Sequence, residues 1–169
     1  MSEGRGLTAI TVFLPRKALE ALRKRAEEEE RPPEEVASEA VLAQLNADDP
    51  ATRAELHWEL CEKYLREAKE LLAKGDFVQA SEKAWGAAAQ AVKAVAAREG
   101  RVLRSHRELH GFLMELRMRT GDEELRRLWH AANELHRNFY EAWLPSEMVA
   151  EAVSDVEGLV SKLRHIASS

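Results

Sequence analysis

A chain of 169 residues is long enough for one ordinary domain, or for a small module joined to a compact bundle. Hydrophobic residues make up 45% and charged residues 33%, enough for a buried core beneath a heavily charged surface, which excludes a disordered chain. The net charge of −5 excludes broad attraction to nucleic acid or anionic membranes, so any such contact must be local.

Cys61 is the single cysteine. It can form no intrachain disulfide, and its apolar helical setting reads as a small buried residue in a reducing compartment. No apolar run approaches the roughly 20 residues of a membrane span, and the opening MSEGRG has no signal-peptide core. The expectation is a cytoplasmic protein. Many glutamates and arginines at helical spacing suggest the ion-pair-rich surface of a heat-adapted protein.

From Thr8 to Leu14, Thr8, Ile10, Val12 and Leu14 alternate with Ala9, Thr11 and Phe13, the period of a strand. Pro15 suits the first turn of a helix over 16–30, with Leu19, Leu22 and Ala26 as its apolar stripe. Arg31-Pro32-Pro33 breaks it. A second helix carries Val36, Ala40, Val41 and Leu45 behind an acidic start at Glu34 and Glu35. Nothing else in the chain reads as a strand, so the lone strand predicts a partner strand from a second copy and hence a homodimer or tetramer.

Asp49-Pro50 opens a long helix that Gly75 closes. Asp76 caps the next, whose Ala80, Ala84, Ala87, Ala88 and Ala91 make a small-residue face. After Gly100, Ser105 and Glu108 have capping-box spacing ahead of Leu109, Phe112, Leu113 and Leu116. Beyond Thr120-Gly121-Asp122, a helix bears Leu125, Leu128, Trp129, Ala132 and Leu135, and Pro145 starts a final one. The four tryptophans, Trp58, Trp85, Trp129 and Trp143, sit at core spacing. The expected fold class is mainly α: one intermolecular strand and two helices over 1–47, then an antiparallel bundle of about five helices over 48–169.

The order strand, helix, break, helix in TAITVFLPRKALEALRKRAEEEERPPEEVASEAVLAQL resembles the ribbon-helix-helix family. That resemblance implies DNA binding, with Ala9, Thr11 and Phe13 facing the major groove and Arg5, Arg16, Lys17 and Arg31 as candidate phosphate contacts. Residues 1–49 hold seven Lys/Arg against eleven Asp/Glu, a local net of −4 that opposes phosphate. A module that only joins copies together is the alternative.

The stretch YLREAKELLAKGDFVQASEKAWGAAAQAVKAVAAREG, with LRSHREL and LHRNFYEAWLP, resembles the archaeal PaREP family and, through it, the HEPN bundles. The resemblance covers about residues 52–165 and implies a helical bundle, often dimeric, that binds nucleotide or RNA. Catalytic HEPN bundles place a histidine a few positions after an arginine and a polar residue. Here Phe139, Tyr140, Glu141 and Ala142 follow Arg137-Asn138, so a general base for the ribose hydroxyl is missing and no catalytic residue is assigned. A candidate binding pocket gathers Arg104, His106, His110, His136, Arg137, Asn138 and Tyr140. No histidine or cysteine pair has zinc-site spacing and no glycine loop is present, so neither metal nor cofactor is expected. The leading functional expectation is a dimeric DNA-binding regulator or antitoxin-like protein with a sensing bundle. The runner-up is a non-catalytic RNA- or nucleotide-associated bundle.

Overall fold

The computed structural model describes residues 9–169, so Arg5 and Thr8 lie outside the described residues. Seven helices follow one another: α1 (Arg16–Glu28), α2 (Pro33–Gln44), α3 (Pro50–Ala73), α4 (Phe77–Arg98), α5 (His106–Thr120), α6 (Glu124–Glu141) and α7 (Ser146–Ala167). The seven helices stand where the hydrophobic periodicity and the caps put them.

The expected strand is a correction. Among the described residues there is no strand, and the chain from residue 9 to Pro15 has no regular structure, so the architecture is all-helical. Alternation gives a strand only where a neighbour takes up its backbone groups, and no segment among the described residues offers one. Ile10, Val12, Phe13 and Leu14 are all exposed.

Local chemistry explains the helix ends. Asp49 accepts the Thr52 amide at 2.9 Å and Asp76 the Gln79 amide at 3.1 Å, each satisfying an otherwise orphaned donor. The Ser105–Glu108 capping box is formed in both directions. Gly121 closes α5 at φ +70°, a conformation that a side chain would strain.

The core belongs to the bundle. Helix α4 is its axis and packs on α3, α5, α6 and α7. Ala80, Ala84, Ala87, Ala88, Ala91 and Ala96 are wholly buried, and such small side chains let the neighbouring helices approach closely. Phe112, Leu113, Leu116, Leu125, Leu135, Leu159 and Leu163 fill the space around them. Trp85 and Trp129 belong to this core, whereas Trp143 is exposed, against the packing role its spacing suggests.

The α1–α2 hairpin sits apart. Among the described residues, helix α1 packs only on α2, and α2 in turn lies on α3. Within the hairpin Ala26 and Val36 are buried, while Val41 and Leu45 of the expected α2 stripe are exposed.

Candidate functional site

Two polar clusters flank the turn between α1 and α2. The first fastens the hairpin to the bundle. Arg31 lies in the break between the helices and is only 10% exposed; its guanidinium meets Glu39 at 2.6 Å, Glu29 at 2.9 Å and Glu35 at 3.2 Å. Glu35 has no exposed surface, and Lys93 of α4 donates to both of its oxygens at 2.9 and 3.1 Å. Burial alone would raise the Glu35 carboxyl, but the charge and hydrogen bonds of Lys93, with His57 and Arg31, hold it below the usual carboxylate value. The buried Nδ1–H of His57 donates to Gln90 Oε1 at 2.7 Å, and burial keeps His57 below the ordinary imidazole value. Glu34 completes the attachment by accepting from Lys63 at 2.7 Å and from the Tyr64 hydroxyl.

Donor atoms of Glu35, Glu39 and His57 lie within 4.8 Å of one another, the packing of a metal trio. Arg31 pairs with both carboxylates and Lys93 with Glu35, so the chain's own cations already hold the oxygens of the trio. Its role is structural: it is an ionic clasp.

The second cluster is aromatic. His106 and His110 are one turn apart on α5, while Trp129, His136 and Tyr140 share a face of α6. His106, Trp129 and His136 meet the Trp85 ring of α4, while His110 packs on Trp129 and Tyr140 on His136. His136 stacks on the Trp85 ring at 4.7 Å and 28°, and His106 meets it edge-on at 5.4 Å. The two imidazole centroids are 5.0 Å apart. Trp129 Nε1 donates to His110 Nδ1 at 2.7 Å, so a neutral His110 carries its proton on Nε2. Burial lowers both His106 and His110, with Glu30 opposing it at His106.

Carboxylates close the ring. Glu82 Oε2 stands 3.8 Å from His136 Nδ1, and Glu30 Oε2 stands 3.9 Å from His106 Nε2. Glu30 reaches this position because the turn holds it at φ +53°, fixed by the Arg31 amide donating to Ala26 O at 2.9 Å. Burial, then Glu82, Glu30 and Glu27, raise the Tyr140 hydroxyl. A recess of about 60 Å³ opens beside His106, and a cleft of about 510 Å³ opens beside Lys63 and Tyr64; Arg31, Pro32, Glu82 and Gly86 line both.

Of the seven expected pocket residues, the structure gathers His106, His110, His136 and Tyr140. Arg104 lines the recess with an exposed side chain. Arg137 does not join: it pairs with Glu141 at 2.9 Å and covers the Trp143 ring at 5.1 Å. Asn138 is buried and structural. Its Oδ1 accepts the Trp143 and Leu144 amides at 2.9 and 2.8 Å, and its Nδ2 donates to Ser81 at 2.9 Å, fixing the turn after α6. In the hairpin, Ala9, Thr11, Phe13, Arg16 and Lys17 are exposed, while Arg31 is spent on the clasp.

Sequence reasoning missed Glu30, Glu82 and Trp85 at the aromatic cluster, and His57, Gln90 and Lys93 at the clasp. The last three carry a readable signal, because each is a polar side chain set among apolar helical neighbours. Glu30 and Glu82 carry none, since the turn and α4 bring them to histidines far along the chain.

Residues 56–160 match the family described as the archaeal PaREP1/PaREP8 family. Among solved structures, the chain is similar to the crystal structure of a Sulfolobus solfataricus protein. The two are 29% identical with a TM-score of 0.58, over 65% of this chain and 97% of that one. No match is found among curated proteins. No helix among the described residues is long and apolar enough to cross a membrane.

Proposed function

This chain belongs to the archaeal PaREP1/PaREP8 family, and from the layout of the hairpin that precedes its bundle we propose that it is a self-associating, DNA-binding regulator. The observation that carries the reading is how the hairpin sorts its charge. Three of the eleven acids in the sequence count are tied up in ion pairs: Glu34, Glu35 and Glu39 are bound by Lys63, Lys93 and Arg31. Helix α1 shows the opposite sign, with Arg16, Lys17, Arg23, Lys24 and Arg25 exposed against three glutamates, a net of +2. A basic helix on the outer side of a clasped hairpin gives a local phosphate-binding face on an acidic protein.

Self-association rests on apolar exposure. Of twelve exposed large hydrophobics among the described residues, six belong to this short N-terminal part: Ile10, Val12, Phe13, Leu14, Val41 and Leu45. A concentration of that kind is costly in water and favours cover by a second copy. Light scattering of the protein and of a Phe13→Asp/Leu45→Asp variant tests it, with the variant expected to dissociate.

A mobility shift of the protein on DNA from upstream of its own gene, titrated with salt, tests the DNA contact. The expected result is binding that weakens steeply with salt and is lost in Arg23→Glu/Lys24→Glu. Absence of salt-sensitive binding at low ionic strength refutes it. The alternative, a bundle that binds RNA or nucleotide, has less support, because Arg137 turns away and the charged groups closest to His106 and His136 are the carboxylates of Glu30 and Glu82.

A further inference from the structure

A cleft runs along the seam between the hairpin and the bundle. Pro32, Pro33 and Glu34 form its hairpin wall, with Arg31 at the turn; Lys63 and Tyr64 of α3 and Glu82, Lys83 and Gly86 of α4 form the bundle wall. Its volume of about 510 Å³ lies within the roughly 300–1,000 Å³ of small-molecule sites, which favour such junctions. We propose that this cleft binds a small zwitterion of the α-amino acid class with an apolar side chain, its ammonium on Glu82 and its carboxylate on Lys83. The site is independent of whether the hairpin meets DNA.

The balance of charge in the lining carries the dipolar part. Arg31 is already held by Glu29, Glu35 and Glu39, and Lys63 is matched by Glu34 at 2.7 Å. One acid and one base remain, Glu82 and Lys83, side by side on α4. A simple cation would meet the lysines here and a simple anion the glutamates, whereas a molecule bearing both charges finds an opposite partner at each end.

Both residues have spare capacity. Glu82 Oε2 has no hydrogen-bond partner and stands 3.8 Å from His136 Nδ1, beyond hydrogen-bond reach. The Lys83 ammonium has three donors and meets one carboxylate among the described residues, Glu67 at 2.9 Å. Their side chains are 38% and 36% exposed, so each can turn to a ligand. The apolar part falls to Pro32, Pro33, Tyr64 and Gly86. A Cβ at Gly86 would crowd Tyr64 Cδ2 at 3.3 Å, so the glycine lets that ring lie against α4.

A molecule in the cleft touches both walls and so ties the hairpin to the bundle at a second point beside the clasp. Binding to the docked form alone shifts the equilibrium toward it. Occupancy therefore restrains the turn that positions α1. The step from there to DNA rests on the reading given above; the binding does not.

The test titrates the full chain by calorimetry with L-phenylalanine and L-leucine, then with the other standard amino acids. One saturable site per chain is expected. Phenethylamine, which lacks the carboxylate, and phenylpropionate, which lacks the ammonium, should each bind about tenfold or more weakly than phenylalanine. Glu82→Gln and Lys83→Met should each weaken binding by a similar factor. Lys83→Arg, which keeps the charge, and Lys69→Met, which removes a lysine paired with Glu157 outside the cleft, should retain it. Circular dichroism checks that each variant folds; if one does not, the two analogues on the parent chain supply the same comparison. Hydrogen exchange in α2 should slow when phenylalanine is bound. The proposal is overturned by no saturable binding of any standard amino acid, by analogues that match phenylalanine, by binding indifferent to both Glu82→Gln and Lys83→Met, or by unchanged α2 exchange on binding. Each of these is read without DNA, so this site and the DNA contact fail separately.

Discussion

Lys93→Met removes one ammonium from the clasp and keeps the length and packing of the side chain. Glu35 then remains fully buried with only Arg31 at 3.2 Å and the neutral His57 at 3.6 Å beside it. Breaking a buried pair by removing one partner costs about 3–5 kcal/mol, and the surviving guanidinium puts this case near about 3 kcal/mol. The bundle core does not include Glu35, so the cost falls on the docking of α1–α2 and not on α3–α7. A loss of that size shifts the docking equilibrium roughly 150-fold. Hydrogen exchange read segment by segment is the assay: amides of α2 should lose protection while those of α4 keep theirs. Equal loss in α2 and α4, or no loss in either, refutes the clasp as the link between hairpin and bundle.

Acid should act on the same joint. His57 and Glu35 are both held below their ordinary values, so the unfolded or undocked chain binds more protons than the docked one. Stability from His57 is complete above an ordinary imidazole pKa of about 6.5 and falls as pH drops, and that from Glu35 follows below the ordinary carboxyl value of 4.5. Protection of α2 should therefore fade in two stages on acidification, before the helical signal of the bundle is lost. Asn138→Ala strands the Trp143 and Leu144 amides and removes the Nδ2 donor to the Ser81 hydroxyl, which keeps its own bond to Phe77 O; a cost of about 3 kcal/mol is expected. The thermal midpoint should drop by roughly 10 °C. Cys61 has no exposed surface and burial pushes its thiol up to about 12, so a maleimide should label it only on unfolding. Ala142 ends α6 at φ +48°, where glycine is unstrained, and Ala142→Gly should stabilise the protein by about 1 kcal/mol in thermal or denaturant unfolding.

The helices were legible because their signals are local. Asp49-Pro50, Asp76 and the Ser105–Glu108 pair mark starts by their own hydrogen bonds, and the apolar period marks the buried faces between them. Alternation from Thr8 to Leu14 is a weaker kind of signal, since a strand depends on what lies beside it, and within the described chain nothing does. The α2 stripe failed similarly: Val41 and Leu45 have the right spacing, but no bundle helix lies opposite them. Of the expected pocket, the histidines came together because α5 and α6 each present one apolar face to α4, and residues on those faces arrive with it. Arg137 and Asn138 follow His136 by one and two positions and point elsewhere, as the 100° rotation per helical residue requires.

Charge shows most clearly why a sum over sequence misleads. The count over residues 1–49 treats each glutamate as facing a prospective phosphate, yet the bundle supplies Lys63 and Lys93 from outside that window and spends them on Glu34 and Glu35. Once those acids are neutralised, what remains outward on α1 is five basic side chains against three glutamates, a net of +2. The docking that hides the acids thus also decides what the hairpin presents. Undocking would return Glu34, Glu35 and Glu39 to solvent beside the basic helix and weaken its field. A DNA contact through α1 should consequently fail in Lys93→Met even though Lys93 lies on the bundle. If that variant bound DNA with unchanged affinity and salt dependence while α2 had lost protection, the basic face would not depend on the clasp.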